Sequence, residues 1–258
     1  MASPKKPLTA TNATAKLAVA AAKKLNREVA KLDFREVVPW VYNPLDYAWL
    51  AHEQYLLKYA RPSCRVLFLG MNPGPWGMAQ SGIPFGEIAI VKDWLKIDAV
   101  IKKPTPEHPK RPVEGLACGR SEVSGRRLWG LFRERFPNPD DFFETYFVTN
   151  YCPLVFMEES ARNVTPDKLP AESRAALERV CDQHILQLAE ALAPEWIVGV
   201  GAFAEKCARR AVEAWPQNKP RSQPPQVGRV LHPSPASPAA NRDWAGTAAA
   251  QLSAMNVW

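Results

Sequence analysis

The sequence predicts an α/β fold with three layers, in which helices cover both faces of a central four-stranded parallel sheet. Short apolar runs at four positions have the length and composition of buried strands. Segments of helical composition, notably residues 171–192 and 202–214, lie between them. Strands that alternate with helices are typical of parallel sheets. The four predicted strands are residues 65–69, 146–149, 196–200 and 229–231.

The chain has 258 residues, of which 47% are hydrophobic, and this is enough for one substantial core. We expect a single domain over residues 32–258, preceded by a basic extension over residues 1–31. Within the extension, residues 1–14 have the composition of a disordered segment. The remainder predicts an amphipathic helix, because apolar side chains recur at helical spacing at Leu17, Ala21, Leu25 and Val29.

Most of the formal net charge of +7 lies in the extension. Residues 1–31 hold seven Lys or Arg against one Glu, a net charge of +6, so the remaining body is nearly neutral. The extension could contact an acidic partner such as nucleic acid, or it could be a solvated basic segment. Net charge alone does not choose between these two interpretations.

Composition argues against several classes of protein. The five cysteines form no C-x-x-C pair, which favours free buried thiols over a disulfide framework, a zinc ribbon or an iron-sulfur cluster. No apolar run approaches the roughly 18 residues of a membrane span, and the N-terminus is too polar for a secretory signal. We expect a soluble intracellular monomer that contacts no membrane and needs no metal or organic cofactor. It would lie in the cytoplasm or nucleoid of a bacterium, or in the nucleus of a eukaryote.

Polar residues or glycines follow each predicted strand at the point where it ends. In open α/β sheets, ligands bind outside the carboxyl ends of the strands. We therefore expect these residues to converge on one edge of the sheet and to form a site there. They are Gly70, Met71 and Asn72 after the first strand, then Asn150, Gly201 and His232.

The loop after the first predicted strand, GMNPGPWGMAQSGIPFG at residues 70–86, holds five glycines and three prolines. Such a loop lets the backbone approach a ligand closely, although an ordinary turn can have the same composition. It lacks both the G-K-[ST] ending of a Walker loop and the G-x-G-x-x-G pattern of dinucleotide sites. A nucleotide-dependent α/β enzyme is therefore disfavoured.

His232 lies in the segment HPSPASP, where prolines at alternate positions stiffen the backbone directly after a strand. A rigid mount at the carboxyl end of a strand favours a functional histidine.

The proline-rich residues 102–119 predict an extended loop. The other histidines have no comparable setting and are expected to be incidental: His52, His108 and His184.

The Gly-rich loop and HPSP together resemble the signature loops of the uracil-DNA glycosylase superfamily, specifically of its single-strand-selective monofunctional branch. The similarity continues through SEVSG, FVTNYCPL and RNVTPDKLP, and it spans the chain from about residue 42. The resemblance implies a monofunctional enzyme of base excision repair. Its substrates would be uracil and 5-substituted uracils such as 5-hydroxymethyluracil in single- or double-stranded DNA, from which it would leave an abasic site.

The resemblance also implies a role for each residue of the site. Asn72 would orient the attacking water, and His232 would stabilise the departing base. Phe85 would stack on the flipped base, and Asn150 would bind its Watson–Crick edge. The pocket would be completed by Met71 and Gly74.

A second set of residues is implied to contact DNA phosphates. These are Ser160, Arg162, Asn163, Thr165 and Lys168, together with Ser234 of the HPSP loop. Vertebrate members of the branch carry an Arg after H-P-S-P that wedges into the duplex, whereas this chain has Ala236. Either another residue such as Arg242 fills the gap left by a flipped base, or duplex uracil is a poorer substrate than single-stranded uracil.

An amide cannot remove a proton, so Asn72 can only position water for a sugar cation that is already largely formed. Other branches of the superfamily have Asp here, which would add electrostatic stabilisation, and the sequence therefore predicts no large loss of rate in Asn72→Asp. No lysine adjoins the two loops, which disfavours strand cleavage through a Schiff base. The alternative is a non-catalytic protein that binds damaged or single-stranded DNA.

Overall fold

The computed structural model describes residues 13–215 and 223–258. The strands are β1 (Trp40–Tyr42), β2 (Val66–Gly70), β3 (Tyr146–Asn150), β4 (Val155–Met157), β5 (Asn163–Val164), β6 (Trp196–Val200) and β7 (Gln226–Val230). The helices are α1 (Ala13–Val29), α2 (Pro44–Tyr47), α3 (Trp49–Tyr59), α4 (Met78–Ser81), α5 (Val123–Arg135), α6 (Pro139–Phe143), α7 (Ala171–Leu192), α8 (Ala202–Glu213) and α9 (Pro238–Ala254). The predicted disorder of residues 1–14 falls outside the described residues, apart from the last two, which belong to α1.

The predicted four-stranded parallel sheet is confirmed, in the order β3-β2-β6-β7. β2 lies at its centre and pairs in parallel with β3 and β6, and every residue of β2 is buried. This burial explains why the strand is a continuous apolar run in the sequence. The register places Gly70, the last residue of β2, opposite Asn150, the last residue of β3.

The largest difference from the predicted strands is at β7, which covers Gln226–Val230 rather than residues 229–231. β7 is an edge strand that pairs only with β6, and part of it is exposed, so its sequence is not a continuous apolar run. Leu231 has already left the ladder, because its N–H donates to Gln251 Oε1 at 2.7 Å. The apolar pattern therefore marks only the end of this strand.

A second, antiparallel sheet has the order β1-β4-β5 and is not predicted by the sequence pattern. Its strands are two or three residues long, too short for a periodic signal. Met157 of β4 pairs with Asn163 of β5. The hairpin leads into Thr165, and in this way two of the predicted DNA-contacting residues reach the edge of the main sheet.

The helices pack in connected layers around the main sheet. α8 contacts β2, β6 and β7, and α7 packs on α8, whereas α9 contacts both β7 and α5. The extended loop predicted over residues 102–119 is confirmed, with only a short 3-10 turn at Gly115–Ala117. All five cysteines are buried and free, as predicted. Within the described residues, no helix combines the length and apolarity that a bilayer crossing requires.

The predicted amphipathic helix is α1, and it packs against α7 and α3. Leu25 and Val29 lie in the hydrophobic core, whereas Leu17 is 57% exposed. The spacing of four residues explains this difference, since each step of four advances about 40° around a helix and the stripe drifts off the buried face. The helix thus contributes to the core, while the domain boundary at residue 31 stays a prediction.

The packing of α1 predicts unequal effects of two leucine truncations in the same helix. Leu25 is 4% exposed, so Leu25→Ala should lower the free energy of unfolding by roughly 2–5 kcal/mol in urea titrations. Leu17→Ala is the matched control and should change it by less than about 0.5 kcal/mol. Equal effects of the two substitutions would contradict the packing described here.

Candidate active site

One cavity of about 380 Å³ lies at the carboxyl ends of the parallel strands. It brings together every residue that the sequence analysis placed in the catalytic and base-binding set. It also contains three of the predicted DNA-contacting residues. The predicted residues in its wall are Met71, Asn72, Gly74, Phe85, Asn150, Asn163, Thr165, His232 and Ser234.

The side chain of Asn72 is held in one orientation by the backbone of the neighbouring loop. Its amide Nδ2 donates to the carbonyl oxygen of Leu154 at 3.1 Å. The Cys152 backbone N–H donates to the Met71 carbonyl at 2.9 Å, which ties the same two loops together. Because the NH₂ group is anchored, the amide oxygen Oδ1 is the atom of Asn72 available to accept a hydrogen bond from water in the cavity.

Asn150 and Phe85 meet across a glycine. A Cβ added to Gly70 would lie 2.2 Å from Asn150 Oδ1 and 2.5 Å from Phe85 Cε2, which is too close for any side chain. Asn150 is buried, and its Nδ2 donates to Met78 Sδ at 3.3 Å. A thioether is a weak acceptor, so the amide of Asn150 keeps most of its capacity to bind a ligand.

Phe85 has a strained backbone conformation that contacts with α5 hold in place. Its φ of 54° lies in the left-handed region, which is uncommon for a bulky residue. Trp129 Nε1 donates to the Pro84 carbonyl at 3.1 Å, and a Cβ added to Gly125 would lie 2.0 Å from the Phe85 carbonyl oxygen. The ring centroids of Phe85 and His232 are 6.4 Å apart, so the two rings border the same space.

The proton of His232 is assigned to one ring nitrogen by a backbone contact. The Ser234 backbone N–H donates to His232 Nδ1 at 3.1 Å, so Nδ1 is an acceptor and carries no proton. In a neutral imidazole the proton then lies on Nε2. Burial lowers the pKa of His232 below its ordinary value. The cavity therefore holds a neutral imidazole whose Nε2–H is a hydrogen-bond donor.

Gly201, at the carboxyl end of β6, leaves room for this histidine. A Cβ added to Gly201 would lie 3.0 Å from His232 Cβ and 3.2 Å from its Cδ2. The φ of Gly201 is +93°, a conformation that residues with side chains rarely adopt. The prediction that Gly201 lies beside the other strand-end residues is thus explained by close packing against His232.

The HPSP loop is fastened from α5 and α9 by residues that the sequence analysis did not single out. Arg127 Nη1 donates to the Pro233 carbonyl at 3.0 Å, and its Nη2 donates to Asn241 Oδ1 at 2.9 Å. Asn241 Nδ2 in turn donates to the Pro235 carbonyl at 2.8 Å. The prolines predict a rigid loop, but only the fold shows the hydrogen bonds from Arg127 and Asn241, which are distant in the sequence from one another or from the loop.

Glu122 is a third residue that the sequence did not single out, although it lies in the SEVSG motif. It lines the cavity, and its Oε2 accepts the Trp76 backbone N–H at 3.3 Å. A Cβ added to Gly74 would lie 2.3 Å from the same oxygen, which explains the glycine at that position. Burial raises the pKa of the Glu122 carboxyl above its ordinary value. Glu122 thus supports the Gly-rich loop from behind.

The remaining predicted DNA-contacting residues lie outside the cavity. Arg162 Nε is 3.3 Å from Glu158 Oε1, and Lys168 Nζ is 3.6 Å from Asp167 Oδ2. Ser160 Oγ donates to Glu158 Oε2 at 3.1 Å. All three side chains are exposed, and such surface pairs are weak enough to be exchanged for other partners.

The three histidines predicted to be incidental are buried away from the cavity. His52 Nδ1 lies 2.8 Å from the Gly82 carbonyl, and burial lowers the pKa of His52 to about 4. Burial likewise lowers the pKa of His184 to about 4. His108 Nδ1 accepts the Lys110 backbone N–H at 3.0 Å. His52 and His108 thus contact backbone groups, and none of the three histidines lines the cavity.

Comparisons with known proteins agree with this architecture. A family model described as the uracil DNA glycosylase superfamily matches residues 57–252. The single-strand selective monofunctional uracil DNA glycosylase of Bos taurus is 46% identical over 234 residues, which cover 91% of this chain and 84% of that protein. The Rattus norvegicus protein of the same description is 47% identical over 234 residues, covering 91% and 82%.

Among solved structures, that of wild-type Pedobacter heparinus SMUG2 matches with a TM-score of 0.60 and covers 92% of this chain and 97% of that chain. At 14% identity this similarity supports the fold alone. The family match and the two mammalian relatives extend over most of the chain, including both signature loops. This chain therefore belongs to the uracil DNA glycosylase superfamily, in its single-strand selective monofunctional branch.

Proposed function

We propose that this protein hydrolyses the N-glycosidic bond of uracil in DNA and leaves an abasic site. The observation that carries the proposal is the convergence of Asn72, Phe85, Asn150 and His232 on one cavity, with the proton of His232 directed to Nε2. The amide of Asn150 and the ring of Phe85 suit the binding of a planar base. The Nε2–H of His232 suits its departure, and Oδ1 of Asn72 can accept a hydrogen bond from the water that replaces it. The mammalian relatives are named for this activity.

His232 would supply the largest share of the catalysis. Cleavage of the bond builds negative charge on the departing uracil and positive charge on the sugar. A neutral imidazole whose Nε2–H is already oriented stabilises that negative charge without reorganisation. One such donor in a water-poor site is worth roughly 3 kcal/mol. Because a neutral donor does not need low pH, the enzyme would stay active at neutral pH, where His232 is uncharged.

Asn72 would hold the water that attacks the sugar. Its Oδ1 can accept a hydrogen bond from water but cannot take the proton, so attack follows largely complete loss of the base as an anion. The proton released when water bonds to the sugar carbon passes to the departed uracil anion or to solvent. The chemistry calls for no metal or organic cofactor, since water is the nucleophile and the protein supplies hydrogen bonds. It also calls for no covalent intermediate, which agrees with strand cleavage being absent from the proposed activity.

Base selection would rest on Asn150 and Phe85. The Asn150 amide can donate and accept at once, as the edge of uracil requires, whereas cytosine would leave buried polar groups unpaired. Stacking on Phe85 adds roughly 1–3 kcal/mol but distinguishes bases poorly. We include 5-substituted uracils such as 5-hydroxymethyluracil among the proposed substrates, because Gly74 contributes no side chain to the wall of the cavity.

The DNA would be held by the hairpin and loop residues around the cavity. Asn163, Thr165 and Ser234 line the wall, while Ser160, Arg162 and Lys168 lie on the adjoining surface and can exchange acidic partners for phosphates. We propose that the protein acts inside the cell as a monomer, on single-stranded and double-stranded DNA. A DNA-binding protein without turnover is the competing function.

Excision of uracil from a labelled single strand, followed by alkali, separates the two functions. We expect alkali-cleavable sites in uracil strands but not in matched thymine or cytosine strands. His232→Ala should slow single-turnover excision by roughly 10²- to 10³-fold, because the leaving-group donor is lost. Binding of the uracil strand with no cleavable site at any enzyme concentration would refute the proposed activity.

The contact between Asn72 and Leu154 reverses the expectation for Asn72→Asp that the sequence suggests. Asn72 Nδ2 now lies 3.1 Å from the Leu154 carbonyl oxygen and donates to it. A carboxylate would replace this donor with an oxygen, so two acceptors would face each other. We expect single-turnover excision at neutral pH to slow by about tenfold or more, a barrier increase of ~1.4 kcal/mol. An unchanged or faster rate would mean that the Leu154 contact does not orient residue 72.

The exposed backbone of Ala236 predicts the effect of adding a wedge. Its N–H donates to Ser234 Oγ at 3.2 Å, and the exposed residue directly follows the HPSP loop, where its methyl cannot fill the gap left by a flipped base. Ala236→Arg should raise the ratio of duplex to single-strand excision several-fold. Arg242→Ala tests the other candidate plug. A ratio that stays constant in Ala236→Arg would discard the wedge explanation.

A further inference from the structure

We propose a phosphate-binding site beside the cavity, formed by Arg111 and Arg120, which both contact the ring of Trp76. We name these three residues the Arg-Trp-Arg ledge. Its ligand would be the phosphodiester backbone of the substrate strand next to the flipped nucleotide. The inference rests on the proposed function for its substrate. None of the three residues belongs to the DNA-contacting set implied by the family resemblance.

The ledge begins with cation–π contacts to one indole ring. The guanidinium carbon of Arg111 lies 5.0 Å from the centroid of the Trp76 ring, and that of Arg120 lies 4.4 Å from it. Such contacts orient a guanidinium without using up its N–H donors. One half-buried ring therefore holds two cationic groups near each other on the surface.

The two guanidiniums are not neutralised by acidic side chains. Within residues 13–215 and 223–258, neither Arg111 nor Arg120 forms a salt bridge. Arg111 Nη1 donates to the Lys110 carbonyl at 3.2 Å, and its Nε is buried without a hydrogen-bond partner. By contrast, Arg162 and Lys168 are paired with Glu158 and Asp167. The neighbouring Lys110 is exposed and adds a third positive charge. Unpaired cations of this kind are the groups that bind phosphates most readily.

The ledge is rigidly connected to the cavity. Trp76 lies between the wall residues Pro75 and Met78, and its backbone N–H is bonded to Glu122. Buried Gln80 joins the two loops, since its Nε2 donates to the carbonyls of Pro75 and Pro112 at 3.2 and 3.0 Å. The charges are thus attached to the wall of the base pocket rather than to an independent loop.

A phosphodiester fits this arrangement better than a carboxylate or a free base would. The substrate strand must pass the mouth of the cavity, and every nucleotide brings one negative charge to that place. The two guanidiniums carry positive charge and N–H donors, which complement the negative charge and the acceptor oxygens of phosphates along the strand. Contacts of this type hold a strand without regard to sequence, as a repair enzyme requires.

The test measures the affinity for a uracil-containing single-stranded oligonucleotide by fluorescence anisotropy at several salt concentrations. Arg120→Ala should weaken binding several-fold and reduce the slope of log affinity against log salt by about 0.7, the loss of one phosphate contact. Arg65→Ala is the control, because it removes the same charge from an exposed residue paired with Glu195 at the amino end of β2. It should leave affinity and slope unchanged.

The phosphate can be located with oligonucleotides in which one linkage near uracil is an uncharged methylphosphonate. At one position this change should weaken binding of the wild type but not of Arg120→Ala. Arg120→Ala that binds with the affinity and salt slope of Arg65→Ala would overturn the proposal. So would a loss that persists with every neutral linkage tested. These affinities need no turnover, so failure of the ledge and failure of uracil excision are distinguishable.

Discussion

The parallel pairing of β2 with β3 sets Gly70 against Asn150, and the rest of the pocket depends on the absence of a side chain there. Asn150 Oδ1 and the edge of Phe85 occupy the space that a Cβ at residue 70 would take. The same strand end starts the loop that carries Asn72. The amides of Asn150 and Asn72 and the ring of Phe85 are thus brought together by the register between β2 and β3.

The two central polar residues of the site obtain their orientation from backbone groups rather than from other side chains. Leu154 accepts from Asn72, and Ser234 donates to Nδ1 of His232. Backbone partners cannot rotate or titrate, so the amide oxygen of Asn72 and the Nε2–H of His232 are available before substrate arrives. In the proposed reaction, these preoriented groups would stabilise the charges that develop, so that no strong base is needed.

The sequence predicts the main features of this architecture because they follow from local patterns. Fully buried β2 and β3 are apolar runs, and the rule for strand ends places Asn72, Asn150 and His232 together. The second sheet escapes prediction because strands of two or three residues carry no periodicity. Glu122, Arg127 and the Arg-Trp-Arg ledge escape it because their contacts join distant segments. The sequence does not show which ring nitrogen of His232 carries the proton, because this depends on the hydrogen bond from the Ser234 backbone N–H.

The proposed catalysis depends on His232 being a neutral imidazole with its proton on Nε2. Nitrogen-15 NMR of the histidine rings across a pH titration tests it most directly, with His232→Ala used to assign the resonance. We expect an unprotonated Nδ1, a protonated Nε2 and a pKa below the ordinary value of 6.5, so that His232 gains charge only as pH falls below that value. A proton on Nδ1, or a pKa above that value, would contradict this role of His232.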